Sequence, residues 1–307
     1  MQEPGDSFNV KWYLEKLAGI EEEARRISGI IRNFLREEGS SRLIISYSGH
    51  GYLPASCMFW HMVTMNEESY PLIADAVSTS VLILAYRDPI PLVVFSPVFR
   101  PELFNLLQAS RIMNHPYIAL IGEPVDERIL RLLRDYRVVF ASARDELDSS
   151  LVMAMASYHA LAEAYSGRLA RRGERILAHS REGFTPVFEE MIGAYREVFS
   201  GILGSRELTV SSSRLLESSS IYLVEALRRR GVRAAYEHPE LVSGHGSVLL
   251  LGTSVEEHYL KEVKFKLTAR GLRVVDLVFN TDPIEANIYL AMIADYIASA
   301  SGSTTVF

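Results

Sequence analysis

Serine and glycine are concentrated in one short segment, residues 46–51, which directly follows the apolar run at 43–45. Small residues before a helix let backbone N–H groups approach an oxyanion, and serine hydroxyls can donate to the same anion. The segment is therefore a candidate phosphate-binding loop. An ordinary turn between a strand and a helix also favours serine and glycine, so the pattern leaves both interpretations open.

A second polar loop, residues 96–102, follows the apolar run at 92–95 and carries Arg100 between two prolines. Ligands of open α/β folds bind at the carboxyl ends of strands, and a guanidinium can donate two hydrogen bonds to a phosphate. A solvated turn shaped by the prolines is the alternative. The polar run at 145–150 precedes a helical stretch, so Asp148 or Ser149 could serve as its N-cap and could also contact a ligand.

Two glutamates and two histidines share a segment that proline and glycine interrupt, residues 236–247. Glu237, Glu240, His238 and His245 are proton-transfer groups, and such groups gather on loops at active sites. A metal site would use the same residue types, but their spacing matches no established ligand pattern. An exposed turn without function is the remaining alternative.

Composition restricts the classes of protein to consider. The chain has 307 residues, 48% of them hydrophobic, and a net charge of −6, which favours two globular domains and disfavours nucleic acid as a partner. Cys57 is the single cysteine, so neither an internal disulfide nor a thiolate-rich metal site is expected. No apolar run reaches the about 18 to 20 residues of a membrane span. We expect a cytoplasmic protein that binds no membrane.

Apolar runs alternate with helical patterns along the chain, which is typical of a doubly wound parallel α/β sheet. A leading amphipathic helix is predicted over residues 11–36, and helical patterns recur at 52–65, 151–199, 256–269 and 284–300. The predicted strands are residues 43–45, 81–85, 92–95, 118–121, 138–140, 248–251 and 274–278. Residues 168–175 are the predicted connection between domains.

The two halves also resemble each other when they are aligned at an offset of 206 − 42 = 164, which pairs Arg42 with Arg206 and Ser48 with Ser212. The loop that matches residues 46–51, at 211–214, is polar but has no glycine. We therefore predict an N-terminal helix over 1–40, a first domain over 41–170, and a linker helix with a second domain over 171–307.

Across roughly residues 40 to 305 the chain resembles the sugar isomerase (SIS) domain family in its tandem arrangement. This tandem arrangement is similar to that of the isomerase part of glucosamine-6-phosphate synthase and of archaeal glucosamine-6-phosphate deaminases. It rests on the order of four loops, residues 48–52, 96–101, 145–150 and 244–246. It implies two tandem SIS-type doubly wound parallel-sheet domains that bind a phosphorylated sugar. The candidate binding residues are Ser48, Gly49, His50, Gly51, Ser96, Arg100, Asp148, Ser149 and Ser150.

The resemblance also implies a catalytic set. His245 matches the family histidine that opens the sugar ring, whereas Gly231 stands nearest to the family's proton-transferring glutamate, and the tail at 301–307 has no lysine. Glu237 or Glu240 would then serve as the base. The expected activity is an aldose–ketose isomerase or amino-sugar phosphate deaminase, without cofactor or metal and as a homodimer. The alternative is a non-catalytic phosphosugar sensor.

Overall fold

Parallel strands form two separate sheets in the computed structural model, which describes residues 10–39, 41–203, 205–243 and 246–299. The first sheet has the order β2-β1-β3-β4-β5 and the second the order β7-β6-β8-β9, with parallel neighbours throughout. The strands are β1 (Arg42–Tyr47), β2 (Tyr70–Asp75), β3 (Leu92–Ser96), β4 (Tyr117–Gly122), β5 (Val138–Ala141), β6 (Glu207–Ser212), β7 (Arg233–Tyr236), β8 (Ser247–Thr253) and β9 (Arg273–Phe279). The predicted α/β class is confirmed.

Helices connect the strands, as parallel pairing requires. They are α1 (Val10–Glu38), α2 (Tyr52–Met65), α3 (Ala76–Ser78), α4 (Pro101–Ile112), α5 (Glu127–Leu133), α6 (Glu146–Ala164), α7 (Ala170–Glu182), α8 (Thr185–Leu203), α9 (Glu217–Arg229), α10 (Glu257–Ala269) and α11 (Pro283–Ser299). Helix α4 packs its leucines on Ile44, Val94 and Ile121 of the first sheet. All five residues of β3 are buried, which explains its continuous apolar sequence.

Contacts divide the chain into two units. The first-sheet unit is Gly19–Phe184, and the second-sheet unit combines residues 10–18 with 185–299 of the described chain. This division falls after Phe184, later than the connection expected at 168–175, where α7 already begins at Ala170. The apolar side of α1 is buried within the single chain, since Tyr13, Leu17 and Ile27 are each 0% exposed.

One predicted strand is wrong. Residues 81–85 lie in helical turns, Thr79–Ile83 and Leu84–Tyr86, and the strand of this region is β2. The Asp75 side chain accepts the Ser78 N–H at 2.9 Å and so starts a helical turn directly after β2. The apolar run that follows is largely exposed, with Val81 at 59% and Leu82 at 66%, so it is not a buried strand.

The internal repeat is present in the strand order but its frame differs by one residue. Strand β6 begins 207 − 42 = 165 residues after β1, and α9 begins 217 − 52 = 165 residues after α2. Ser48 therefore corresponds to Ser213, not to Ser212. The turn hydrogen bonds agree, because the Gly51 N–H donates to the Ser48 carbonyl at 3.0 Å and the Leu216 N–H to the Ser213 carbonyl at 3.2 Å.

Candidate functional site

The first candidate site lies in the first-sheet unit, where parallel strands end at one edge of the sheet. Strands β1, β3, β4 and β5 end at Tyr47, Ser96, Gly122 and Ala141, and each continues into a loop that leads to a helix. Parallel strands share their carboxyl edge, so the loops at 48–51, 97–100 and 142–145 come together there. The two loops singled out at 46–51 and 96–102 are thus neighbours of the loop that leads into the polar run at 145–150.

Ser48 extends β1 by one residue and is the most buried polar group of the first loop, at 4% exposure. Its N–H donates to the Phe95 carbonyl at 3.0 Å, which fixes the loop to the end of β3. Its hydroxyl donates to Oε1 of Glu102 at 2.7 Å, in the first turn of α4. The Ser48 hydroxyl, with the Glu102 backbone N–H and the charge of Arg100, lowers the pKa of the Glu102 carboxyl.

The Arg100 guanidinium lies directly over Gly49. A Cβ placed on Gly49 would stand 3.0 Å from both Nε and Nη2 of Arg100, and Gly49 has a φ of +55°, so glycine suits this position on two grounds. Arg100 Nη2 donates to Oε1 of Glu146 at 3.2 Å. Its Nε is buried and has no hydrogen-bond partner within the described ranges.

Two further glycines let the loops approach one another. A Cβ on Gly51 would stand 2.1 Å from the Phe95 carbonyl oxygen, and a Cβ on Gly122 would stand 1.9 Å from that of Pro97 and 2.9 Å from Ser149 Oγ. Sequence reasoning did not single out Gly122. The available signal was its place at the end of an otherwise apolar strand, where glycine marks a close backbone approach.

The polar run at 145–150 is helical from Glu146 onward, so the prediction that Asp148 or Ser149 caps the helix is wrong. Asp145 is the N-cap, accepting the Leu147 and Asp148 N–H groups at 2.8 and 3.0 Å. Both predicted caps lie buried inside the first turn and a half, at 4% and 3% exposure. Ser150 donates to the His50 carbonyl at 2.7 Å and so joins α6 to the first loop.

Ser96, another predicted phosphate ligand, is fully buried and donates its hydroxyl to the Val98 carbonyl at 2.7 Å. This contact shapes the loop that carries Arg100. The hydroxyls of Ser48, Ser96 and Ser150 thus donate to groups of the chain itself, and Glu102 and Glu146 are the carboxylates that accept from Ser48 and Arg100. Neither glutamate was predicted as a site residue, because their roles depend on contacts between different loops.

The catalytic candidates lie in the second-sheet unit, on the loop that follows β7. The backbone N–H of Glu237 continues the pairing of β7 with β6 by donating to the Val210 carbonyl at 3.0 Å. The Glu237 carboxylate accepts the Ser243 N–H at 2.9 Å. Glu240 is exposed. His245 and Gly244 lie outside the described residues, so the assignment of the ring-opening histidine stays a prediction.

Buried serines lie at the end of β6 and in the first turn of α9, on either side of the turn that the sequence analysis treated only as a weaker copy of the first loop. Ser219 donates to Oδ1 of Asn287 at 2.8 Å, and Ser220 donates to Ser212 Oγ at 2.9 Å. The hydroxyls of Ser213 and Ser218 are buried and find no partner among the residues described. This turn is thus less completely hydrogen-bonded than its counterpart.

A buried group elsewhere has the residue types of a nucleophilic site but not its access. His159 Nδ1 lies 2.7 Å from Ser180 Oγ, and its Nε2 lies 3.8 Å from Oε1 of Glu21. Burial lowers the pKa of His159 to about 3, and all three residues are at most 6% exposed. The imidazole is therefore uncharged at neutral pH, and the group joins α1, α6 and α7 as a structural contact.

Neither a cluster of metal ligands nor a membrane-spanning helix is found in the described part of the chain. In the described ranges, no three histidine, cysteine, aspartate or glutamate side chains are grouped as a metal site would need. None of the helices, as far as the chain is described, combines the length and apolar character of a membrane span. Cys57 is buried, and burial raises the pKa of its thiol to about 12.

Solved structures share this fold over nearly the whole chain. Tagatose-6-phosphate ketose/aldose isomerase from Escherichia coli matches with a TM-score of 0.61 and 10% identity, covering 96% of this chain and 92% of that one. The C-terminal domain of glucosamine-fructose-6-phosphate aminotransferase from Francisella tularensis gives 0.62 and 11%, covering 98% of each. Glucosamine-6-phosphate deaminase from Thermotoga maritima gives 0.58 and 13%, covering 92% and 95%. No protein-family model and no curated protein matches the sequence.

Proposed function

We propose that this chain is a tandem SIS-domain protein that binds a phosphorylated sugar and acts as an aldose–ketose isomerase or an amino-sugar phosphate deaminase. The observation that carries the proposal is the Ser48–Gly51 loop at the carboxyl edge of the first sheet, with Arg100 packed over it. The fold is shared with proteins whose names contain fructose-, tagatose- and glucosamine 6-phosphates, which supports this ligand class.

In this proposal the Ser48–Gly51 loop has the phosphate-binding role, and His245 with Glu237 or Glu240 has the proton-transfer role. His245 would open the sugar by giving a proton to the ring oxygen as the anomeric hydroxyl loses its own proton, and Glu237 or Glu240 would move the proton between the two carbons. Glu237 already accepts one backbone N–H, from Ser243, which would hold its carboxylate in one orientation. No cofactor is required for these proton transfers.

A non-catalytic phosphosugar sensor is the second candidate, and a particular observation favours it. Gly231 ends α9 with a φ of +79°, and its N–H donates to the Arg228 carbonyl at 2.9 Å. The position is a helix stop, which glycine favours and a glutamate would strain. The residue nearest to the family glutamate thus has a structural reason to be glycine, and catalysis depends on the substitute bases.

A homodimer in the cytoplasm completes the proposal, but the amphipathic helix α1 lends it no support. The apolar side of that helix is already buried in one chain. Sedimentation equilibrium at tens of micromolar protein tests the assembly, and a monomer with full ligand affinity would contradict a shared site.

The decisive experiment is calorimetric and mass-spectrometric screening of hexose and hexosamine 6-phosphates against the matching free sugars. Phosphorylated ligands should bind more tightly, and turnover separates enzyme from sensor. Ser48→Asp places a carboxylate in the loop and should abolish binding, with thermal unfolding as the check of folding. Unchanged affinity in that variant would reject the assignment of the loop.

A further inference from the structure

The Ser48 hydroxyl is already engaged by a carboxylate of its own chain. A serine side chain has a single O–H donor, and here that donor points to Oε1 of Glu102 at 2.7 Å. A phosphate oxygen can accept the same hydrogen only if Glu102 moves away. A phosphate and the Glu102 carboxylate, both within hydrogen-bond distance of the Ser48 hydroxyl, would repel each other strongly. The carboxylate thus occupies the position at which an anionic ligand group would bind.

A ligand can displace two contacts of the site, Ser48–Glu102 and Arg100–Glu146. Glu102 is half-buried and stands at the start of α4, so its side chain has space to turn outward. The Arg100–Glu146 contact is a single hydrogen bond of 3.2 Å between side chains that are 42% and 21% exposed. Arg100 also keeps a buried Nε without an acceptor within the described ranges, so its donors are not fully used.

We propose that Glu102 is an internal competitor for the anion position on Ser48, and that it sets the affinity of this site for phosphorylated ligands. When a phosphate binds, the Glu102 carboxylate leaves Ser48, and the Arg100 guanidinium transfers from Glu146 to the phosphate. This inference rests on the proposed function for its ligand class, but it concerns a residue that the resemblance does not assign.

The test compares Glu102→Gln with the unaltered chain by calorimetry, using inorganic phosphate, fructose 6-phosphate and fructose. Glutamine keeps an oxygen that can accept from Ser48 but removes the charge, so the fold should be preserved. We expect inorganic phosphate and fructose 6-phosphate to bind about tenfold more tightly, which is the scale of one charge-assisted hydrogen bond. The affinity for fructose should not change. Glu102→Ala, which removes the acceptor as well, should bind at least as tightly as the glutamine variant.

Glu257→Gln is the matched control. Glu257 stands in the first turn of α10, the helix that follows β8 as α4 follows β3, and it pairs with Lys261 instead of a serine. It changes the net charge by the same amount and should leave phosphate affinity unaltered. Equal tightening in the control would reduce the effect to net charge and overturn the inference.

Three other outcomes separate the inference from the proposed function. If fructose 6-phosphate binds, Ser48→Ala weakens it, and Glu102→Gln has no effect or weakens binding, the competitor is rejected and the proposed function remains. If Glu102→Gln tightens free fructose as much as its phosphate, the competition is not for the anion and the inference fails. If no phosphorylated probe binds any variant, the proposed function fails with it.

Discussion

The turns at 48–51 and 213–216 have the same backbone hydrogen bond but opposite side-chain environments. In the first turn Ser48 donates to Glu102, and glycines let the loop approach β3 and the Arg100 side chain. In the second turn the Ser213 hydroxyl has no partner among the described residues, and Leu216 occupies the place of Gly51. Two turns with the same backbone hydrogen bond therefore differ in chemistry, because the side chains around each serine come from other parts of the chain, here the loop and helix that follow β3.

The largest effect is expected from Gly51→Ala, which should lower the free energy of unfolding by disturbing the first turn. Gly51→Ala would place a methyl group 2.1 Å from the Phe95 carbonyl oxygen, and relief requires the backbone of β1 or β3 to move. We expect a loss of about 3 kcal/mol or more in the free energy of unfolding, measured with denaturant. Gly29→Ala, whose Cβ meets nothing within 4 Å, is the control and should stabilise α1 by about 1 kcal/mol. A loss of less than about 1 kcal/mol at Gly51 would show that the turn tolerates a side chain, as the second one does.

The next largest effect is expected on turnover, from a variant of His245 that tests its proposed role in opening the sugar ring. His245→Asn should keep phosphosugar binding while turnover of the closed sugar falls by about 10²-fold or more, the usual contribution of general acid–base catalysis. Turnover of a substrate locked in its open-chain form should fall much less. Equal losses on both substrates would assign His245 a positioning role, and binding without any turnover in the unaltered chain would favour the sensor.

Alanine substitution of the two corresponding serines sharpens the comparison directly. Ser48→Ala removes a donor and should weaken phosphosugar binding by about tenfold. Ser213→Ala should leave that affinity unchanged and raise stability by up to about 1 kcal/mol, because it removes a buried hydroxyl without a partner in the described chain. Calorimetry and denaturant unfolding of both variants measure the two effects, and an equal loss of affinity would make the turns functionally equivalent.

The smallest expected effect is the pH dependence of the Glu102 contact. The pKa of Glu102 lies below its ordinary value of 4.5 in the folded chain, so its contribution to stability is present above pH 4.5 and is lost as the pH falls through the folded pKa. Because the carboxylate is partly exposed, the contribution should be about 0.5 kcal/mol. The stability difference between the unaltered chain and Glu102→Gln should be constant from pH 5 to 8 and shrink below pH 4.5. A difference that grows on acidification would contradict the contact.

The sequence pattern predicted strands correctly where every or nearly every residue of the strand is buried. Strand β3 and its neighbour β4 follow from their unbroken apolar sequences. At the end of α9, Arg228, Arg229 and Arg230 precede Gly231, as is typical of a helix C-terminus, which favours cations and then glycine. The apolar run at 81–85 failed as a strand because it is exposed on helical turns. Strand β2 contains the apolar run 72–74 but was missed, because it is an edge strand that begins with Tyr70 and Pro71 and has no fully buried residue.

The sequence by itself determined the α/β class, the doubled strand order, and the loops that gather at the carboxyl edge, because alternating buried strands and helices permit few other arrangements. Only the tertiary structure decided how those loops are paired. The Ser48–Glu102 and Arg100–Glu146 contacts join residues 54 and 46 positions apart, and Gly122 meets Pro97 across neighbouring strands. Such contacts depend on the sheet bringing separate strand ends within hydrogen-bond distance, and no local pattern in the chain encodes that distance.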